Sequence, residues 1–531
     1  MRRFSPGDLS GEPCYLLEIL WNGRTYRFAS RVVELSSSDG TVYRYEPLLE
    51  EPAFSEQSDR NGFSDSGPSI PIGIDFGIDI AAEAAAGRPL DSATGLLAVV
   101  FLDQASRASL QSYEERFILA RGEVSLPVYA DPEDVAGYAT FTLEQPVSDD
   151  PSTLIPPGSV ISSLTWPSAP AASLGKVYPF VFGSPGSYTD AGGTAQTVPA
   201  TPAYLVATNK LLVAGHACKG DTVTVYDEDG TTYSATLAEE RDLSGNGRIV
   251  TTADISGAGG SFNKTGKTFH VAWPTTGGGL VDPLTGEVLE RLGDVCVWAL
   301  SRGRDTVDTN VWEAYRPLLR SVVLAGYSNN AEQTIYEFLR DEVFELIPFE
   351  VRAGPRGIYP LLHRALHRRE DALVSIVEGA DFEPVSPVTT QTEQSELRNE
   401  HSLRFAVDDM EDSYQRSLLL TAGVDTSDAD RRNSPTADRS QARYGRRAES
   451  LTSDFIYSTV SAGAVLQMRC RASALPTLTR SYLADAAYGW LNVGDVILLT
   501  SSSLHFTEKL MEVSRKQWTG LAWLLEVSWT A

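Results

Sequence analysis

Short segments of alternating apolar and polar residues recur along this chain, from its first fifty residues to its last thirty. Alternation with a period of two indicates half-buried β-strands. Asn22-Gly23 is the strongest turn signal, because both positions of a two-residue hairpin turn favour positive φ. A β-meander is therefore predicted at the start, and its strands are expected at 15–21, 24–28, 32–35 and 41–45, the last two around Asp39-Gly40.

The alternation continues through the first third of the chain. The string IPIGIDFGIDI at 70–80 predicts a half-buried strand, and 81–87 predicts a short helix or loop. Further strands are expected at 96–102 and 117–128. Residues 1–165 are predicted to form one small antiparallel β-barrel. A stretch rich in Pro, Ser and Asp at 149–172 is typical of a linker.

A second β-rich region follows and is predicted to form an inserted decoration domain over 166–292. Its strands are expected at 177–183, 203–208, 210–214, 222–226, 231–237, 248–253 and 268–273. Two glycine-rich stretches, 257–260 and 277–279, predict exposed loops.

Helical periodicity begins at Asp308, where apolar residues recur at spacings of three and four through 323. A second amphipathic helix is predicted over 331–345, before Pro348, and a third over 361–368. We interpret 293–385 as a small α/β module.

Residues 386–531 return to β-type patterns and are predicted to form a second small barrel. The polar string LRNEHSLRF at 397–405 precedes a long charged stretch at 407–447. A helix is predicted over 451–466, with strands after Gly494-Asp495 and at 511–515 and 521–529. The predicted class is β-rich α+β: two small antiparallel barrels, an inserted β domain and an α/β module.

The chain carries 44 basic and 70 acidic residues, a formal net charge of −26. Such an excess of acid disfavours nucleic-acid binding, because phosphates are repelled. Two basic clusters interrupt the acidic background, and acids are interleaved with them, so a solvated face or a subunit contact is expected. They are Arg364, His367, Arg368 and Arg369, and Arg431, Arg432, Arg439, Arg443, Arg446 and Arg447.

The four cysteines, Cys14, Cys218, Cys296 and Cys470, lack the spacing of a zinc site or a disulfide framework. Buried free thiols made in a reducing cytoplasm are expected. The N-terminus has no apolar signal-peptide core, and no stretch approaches 18 apolar residues. We therefore expect a soluble protein.

Two short stretches of the chain, 363–367 and 242–247, partly match metal-binding patterns. His363 and His367 are four residues apart, but the zinc-protease pattern needs Glu where this chain has Arg364. The turn at 242–247 matches the start of a calcium loop, yet its twelfth position is Ala253 rather than an acid. A surface helix and a simple turn are the preferred interpretations.

No nucleophile elbow, P-loop or dinucleotide motif is present, and six histidines are few for a hydrolase. Paired carboxylates for glycoside cleavage stay possible, because 70 acids offer many pairs. A sugar-binding stack at Trp273, Trp312 or Trp518 lacks specific support. No catalytic, cofactor-binding or metal-binding residue is predicted, and no cofactor is expected.

Three parts of the chain resemble the hub proteins at the tip of bacteriophage tails. They are the opening LLEILWNGRTYRFA with Asp39-Gly40; the region 293–362 with GDVCVW, a helix containing Trp312, and GIYP; and the C-terminal region with SQARYG at 440–445 and LNVGDV at 491–496. The resemblance covers about half of the chain. The inserted region at 170–290 matches no pattern of that family.

The resemblance implies two tail-tube-like barrels per chain, a homotrimer that presents six barrels to the hexameric tail tube, and a spike or fibre below. The leading hypothesis is a structural virion hub at the tail tip or baseplate. One alternative is an adhesin that binds a host receptor or side fibres through the inserted domain. A less favoured one is a depolymerase of cell-wall or capsule polysaccharide.

Overall fold

The computed structural model describes residues 11–47, 49, 55–57, 70–75, 80–90, 93–124, 128–129, 138–144, 159–242, 247–274, 278–281, 286–303, 306–330, 333–354, 357–390, 392–423, 428–519 and 522–530. Strands make up 43% of it and helices 16%, which confirms the β-rich class. The chain divides into two compact units. Unit 1 contains 1–147, 349–393 and 476–531, and unit 2 contains 148–348 and 394–475.

Segment 1–147 begins with the predicted meander. Its elements are β1 (Glu12–Trp21), β2 (Arg24–Ala29), β3 (Val33–Ser36), β4 (Val42–Tyr45), β5 (Ser55–Gln57), β6 (Ile70–Asp75), α1 (Ile80–Ala85), β7 (Thr94–Leu102), β8 (Phe117–Val124), β9 (Val128–Tyr129) and β10 (Tyr138–Glu144). Asn22 and Gly23 join β1 to β2 with φ angles of 51° and 72°, so the predicted hairpin turn is confirmed.

Segment 148–348 contains mostly short strands and then three helices. Its elements are β11 (Phe180–Phe182), β12 (Ser187–Thr189), β13 (Ala195–Thr197), β14 (Thr201–Ala207), β15 (Lys210–Ala214), β16 (Thr222–Tyr226), β17 (Thr232–Arg241), β18 (Ile249–Asp254), β19 (Phe269–Ala272), α2 (Leu292–Leu300), α3 (Thr309–Leu319), β20 (Gly326–Ser328) and α4 (Ile335–Leu339). A π-helical turn, Arg340–Phe344, continues α4.

The remaining segments alternate between the two units. Segment 349–393 contains β21 (Phe349–Gly354), β22 (Gly357–Leu362), β23 (Ser375–Val377), β24 (Phe382–Pro384) and β25 (Thr389–Thr390). Segment 394–475 contains β26 (Glu400–Asp408), β27 (Ser413–Thr421), β28 (Arg431–Asn433), α5 (Pro435–Tyr444), β29 (Ala448–Thr452) and α6 (Thr459–Ser473). Segment 476–531 contains β30 (Thr477–Ala484), β31 (Val496–Ser501), β32 (Phe506–Trp518) and β33 (Trp523–Thr530).

Unit 1 contains two large sheets with the same circular strand order. The N-terminal sheet runs β2-β1-β7-β8-β10-β6, and the C-terminal sheet runs β23-β31-β32-β33-β30-β24. We number the six strands of each path from first to sixth in the order in which they occur along the chain. Taken as a circle, both paths then have the neighbour order first, fourth, fifth, sixth, third, second. The two paths differ in where the circle is open. Neighbours along both paths are antiparallel, except that β23 is parallel to β31.

One hydrophobic core cluster is shared by both sheets of unit 1, while a second cluster joins the N-terminal sheet to β3 and β4. Tyr15, Leu17 and Leu97 of the N-terminal sheet belong to the same buried cluster as Trp518 and Val527 of the C-terminal sheet. The rings of Tyr15 and Trp518 meet edge to face, with their centroids 6.2 Å apart. The two sheets therefore share one folding core, although their strands lie at opposite ends of the sequence.

Unit 2 contains a closed six-stranded barrel with the order β14-β15-β18-β17-β16-β19. It closes because β19 pairs with both β14 and β16. The strands predicted between 203 and 273 are confirmed, with small shifts at their ends. Val213, Val225, Val271 and Trp273 belong to the barrel's own buried core.

Unit 2 also contains a four-stranded sheet with the order β28-β27-β26-β29, which lies against α5 and α6. The Ser458 hydroxyl caps α6 by accepting from the Val460 amide at 3.2 Å. Residues 386–531, predicted as one C-terminal barrel, thus supply strands to both units, because β26–β29 pair among themselves. The division into four consecutive domains stays a prediction.

Three helix predictions need correction. The helix α2, from Leu292 to Leu300, precedes Asp308, where helical periodicity is expected to begin; most of α2 is buried, so it shows no polar stripe. The predicted helix at 361–368 is wrong: β22 runs to Leu362, paired with β21, and only short 3-10 turns follow. The predicted helix at 451–466 begins at Thr459, because Leu451 lies in β29 and pairs with β26.

The two glycine-rich loops behave differently. Gly257, Gly259 and Gly260 are exposed, as predicted. Gly278 and Gly279 are buried, so the prediction of an exposed loop is wrong there, while Gly277 lies outside the described residues. A Cβ on Gly279 would lie 2.5 Å from the carbonyl oxygen of Gly183, so the close backbone approach explains the glycine.

Candidate functional site

Two polar stretches singled out in the sequence, 397–405 and 440–445, lie against each other in unit 2. The first leads into β26, and the second ends α5 and starts the loop to β29. Side chains at the start of β26 form hydrogen bonds and ion pairs with that helix and loop. We describe this polar network as the candidate site.

Asn399 is fully buried and organises the network. Its Nδ2 donates to Ser440 Oγ and to the Gly445 carbonyl oxygen, both at 2.9 Å. Its Oδ1 accepts from the Arg447 amide at 2.8 Å. Both amide donors and the acceptor are therefore satisfied by one helix and its exit loop, as a buried amide requires.

The inner side of α5 is attached to the sheet by further contacts. Gln441 Nε2 donates to the Asn399 carbonyl oxygen at 2.9 Å and to Thr421 Oγ1 at 3.1 Å. Ala437 and Ser440 are buried on the same side. The position of α5 therefore depends on Asn399, which is distant from the helix in sequence.

The outer side of α5 faces solvent and is basic. Positions three, four and eight residues apart share one side of a helix. The exposed residues on this side, which we call the arginine face, are Pro435, Arg439, Ala442 and Arg443.

Glu400 connects the network to the loop after α5. Its carboxylate accepts from Arg446 Nη2 and, at 2.8 Å, from Thr421 Oγ1. Burial of Glu400 opposes its ionisation, but the hydrogen bonds from Arg446 and Thr421 outweigh burial and lower its pKa. Glu400 is therefore a carboxylate that holds the exit loop of α5.

His401 connects β26 to β29 and α6. Its Nδ1 lies 2.9 Å from Glu449 Oε2, and Glu449 Oε1 accepts from Arg469 Nη2 at 3.0 Å. Burial of Glu449 opposes ionisation, yet the hydrogen bonds from His401 and Arg469 prevail and lower its pKa to about 2. The ionised Glu449 thus bridges His401 of β26 and Arg469 of α6.

Ser473, His401 and Glu449 stand in the order of a serine-hydrolase triad, with Ser473 Oγ 3.4 Å from His401 Nε2. However, His401 Nε2 is also 3.1 Å from the Arg398 carbonyl oxygen. The Ser473 hydroxyl donates to the carbonyl oxygens of Arg398 and Arg469 at 3.0 and 2.8 Å. His401 is fully buried, so these contacts favour a role in joining β26 to the end of α6.

The residues considered for metal binding are not brought together. Within the described ranges no group of three or more His, Cys, Asp or Glu residues could hold a metal ion. His367 Nε2 lies 3.2 Å from the Leu362 carbonyl oxygen, and no helix places it on one face with His363. Asp242 accepts from Tyr178 and from the Arg248 amide, while 243–246 lie outside the described residues.

Other predicted positions can be placed as well. All four cysteines are buried and unpaired, as predicted. Trp273, Trp312 and Trp518 are at most 9% exposed, so none offers an open ring to a sugar. No helix in the described part of the chain has the length and apolar character needed to cross a membrane.

In the sequence, 397–405 is recognisable only as a polar stretch, and nothing in it indicates that Asn399, Glu400 and His401 form a network. A usable signal is present, because four consecutive polar residues at 399–402 lead into the more apolar middle of β26. Their partners could not be identified, since Ser440, Gly445 and Glu449 are separated from them by two strands and a helix.

No protein-family model matches the chain, and no curated protein sequence matches it. Solved structures were also compared. The tail protein from Neisseria meningitidis MC58 aligns over 97% of this chain and 96% of its own, with 7% identity and a TM-score of 0.37. The 43 kDa tail protein of prophage MuSo2 from Shewanella oneidensis aligns over 96% and 98%, with 7% identity and a TM-score of 0.35.

Prophage tail protein gp18 from Listeria monocytogenes EGD-e aligns over 64% of this chain and 93% of its own, with 10% identity and a TM-score of 0.24. At these identities and TM-scores, the role of the chain has to be argued from its own residues and topology.

Proposed function

We propose that this chain is a structural protein of a phage-type tail and acts as the tail-tip or baseplate hub. In this role it adapts the hexameric tail tube to a trimeric tip and forms or closes the channel for DNA ejection. The observation that carries the proposal is the pair of sheets in unit 1 with one circular strand order and one core.

Two sheets of equal circular order in one chain allow a trimer to present six similar units. Three copies can then match a ring of six tube subunits, whereas a chain with one such sheet needs six copies. The sequence resemblance to tail hubs at the opening meander and at LNVGDV, residues 491–496, agrees with this role. The proposal therefore rests on topology and on short motifs together.

The expected partners follow from that position in a virion. Tail-tube and distal tail proteins would lie above the homotrimer, and a central spike, fibre or tape-measure protein below it. Viral DNA would pass without sequence-specific binding, because a net charge of −26 disfavours adhesion of phosphates. Synthesis in the host cytoplasm and assembly into the tail tip complete the proposal.

The proposed role is structural and involves no catalysis. The arrangement of Ser473, His401 and Glu449 is occupied by contacts to backbone carbonyl groups, which supports this view. A depolymerase would be revealed by turnover of peptidoglycan or capsule polysaccharide by the purified chain.

An adhesin role for the closed barrel is the second candidate. The barrel has its own core, and its exposed loop at 257–260 offers backbone groups to a ligand. Deletion of the barrel should then abolish adsorption to the host while particles still assemble.

Cryo-electron microscopy of the purified chain, with its mass measured by light scattering, tests the hub proposal. The expected result is a trimeric ring with an axial channel and six similar β-units around it. A monomer at every concentration, with no ring formed on addition of tail-tube protein, would refute the hub role.

A further inference from the structure

We propose that the arginine face of α5 docks onto an acidic surface of a second copy of this chain. The inference rests on the proposed function, because it names one surface through which copies of the hub associate. It follows from the charge, the exposure and the anchoring of this helix.

The segment around α5 departs from the charge of the whole chain. Residues 431–447 contain six of the 44 basic residues and one acidic residue, Asp438. The rest of the chain is therefore even more acidic than the net charge of −26 indicates. A basic face on such a chain is complementary in charge to the net negative charge that the rest of a second copy carries.

The arginines of this face differ from their neighbours in their ionic partners. Arg431 pairs with Asp428 at 3.1 Å, and Arg446 pairs with Glu400. In the part of the chain that the structure describes, Arg439 and Arg443 have no carboxylate within 4.0 Å. Their charges are thus available to a partner.

The contacts that Arg439 and Arg443 do make are local. Arg439 Nε donates to the Pro435 carbonyl oxygen at 3.4 Å, and the Arg443 guanidinium lies 5.2 Å from the Tyr444 ring centroid. Both contacts support the side chains and leave several N–H groups of each guanidinium able to donate to a planar carboxylate.

Anchoring of α5 reduces the entropic cost of docking. Asn399 and Gln441 fix the inner side of the helix, and the ionised Glu400 holds its exit loop through Arg446. A preorganised basic helix loses little conformational freedom when it binds. The buried network therefore acts as the support of the arginine face.

A carboxylate surface explains this face better than nucleic acid does. Two unpaired arginines on one short helix provide few phosphate contacts, and the remaining acidic surface repels a long polyanion. A protein surface can place single carboxylates against single guanidinium groups without that repulsion.

Light scattering of the full chain with R439E/R443E tests the inference, and R241E/K267E is the matched control. The control makes the same charge change at two exposed residues of unit 2. R439E/R443E should weaken self-association by about tenfold or more, while the control stays within about twofold of wild type. Wild-type association should weaken in salt of about 0.5 M, since exposed ion pairs are screened.

Carbodiimide cross-linking of an isotopically mixed population provides a second measurement. In R439K/R443K the new amines can form amide bonds with carboxylates that they contact. Mass spectrometry should find links between light and heavy chains at position 439 or 443. Links confined to single chains would overturn the inference even where the charge-reversal variant is unstable.

The outcomes separate the inference from the hub proposal. A wild-type ring that persists in R439E/R443E overturns the inference and leaves the hub proposal standing. If the wild-type chain forms an assembly other than a trimer, and R439E/R443E dissociates it, the inference is supported and the hub proposal is contradicted. Wild-type monomers at all concentrations overturn the inference, and they refute the hub proposal as well when no ring forms on addition of tail-tube protein. Loss of binding to a DNA duplex of about 20 base pairs, with self-association unchanged, also overturns the inference.

Discussion

At the scale of single residues, positions 399–401 place polar groups inside unit 2 where partners from other elements meet them. Asn399, Glu400 and His401 are consecutive and buried, and each bonds to a different part of segment 440–473. An unpaired amide or carboxylate there would cost several kcal/mol, so these residues specify which elements can pack together.

Glu342 shows the opposite electrostatic balance. Burial, and then repulsion from Asp454, Asp341 and Glu345, raise its pKa from 4.5 to about 8. In the folded protein Glu342 is protonated near neutral pH, whereas in the unfolded chain it is ionised. Folding therefore takes up a proton, and its contribution to stability falls as pH rises from about 4.5 to about 8.

The variant E342Q should remove that pH dependence, because glutamine mimics the protonated carboxyl group. We expect the free energy of unfolding to rise by about 1–3 kcal/mol near pH 7.5 and to change little near pH 4. Urea denaturation at both pH values measures it. E239Q, the same substitution at an exposed residue of β17, is the control, and an equal gain at both pH values would contradict the prediction.

At the scale of elements, the ends of α5 and α6 show how local chemistry sets boundaries. Pro435 begins α5 at a position where its missing N–H costs nothing, and Gly445 follows the helix with a φ of 73°. Ser458 caps α6. These signals lie in the sequence, yet periodicity does not predict α5, because polar residues dominate the helix and only Ala437 and Ser440 are buried.

Two glycine substitutions should have opposite effects. G445A forces a Cβ into the left-handed region and should lower the free energy of unfolding by about 1 kcal/mol, although nothing lies within 4 Å of that Cβ. G463A, inside α6 and 3.8 Å from Leu418, should raise it by about 0.5–1 kcal/mol. Thermal and urea unfolding measure both; effects of the same sign would contradict the argument.

At the scale of the whole molecule, unit 1 is assembled from the two ends of the chain and a middle segment. Its sheets share one buried cluster, so each sheet depends on the other to bury the apolar residues of that cluster. The two sheets should therefore unfold together, while the closed barrel of unit 2 depends on its own core.

Truncation of Trp518 tests that shared core. W518A should cost about 3–5 kcal/mol and should speed hydrogen exchange in β1 and β7, although Trp518 lies in β32. W273A, in the core of the closed barrel, is the control and should leave exchange in β1 and β7 unchanged. Faster exchange confined to the C-terminal sheet of W518A would show that the sheets are independent.

The positions of most strands and turns can be predicted from the sequence alone. Alternation and positive-φ residues are local properties, so β1–β4 and the barrel strands from β14 to β19 could be predicted closely. Three features depend on the tertiary structure. They are which strands share a sheet, the placement of 394–475 outside the unit that contains the C-terminal sheet, and the hydrogen bond between Asn399 and Ser440. These pairings join residues far apart in the chain, and the free energy of burying them together has no local signature.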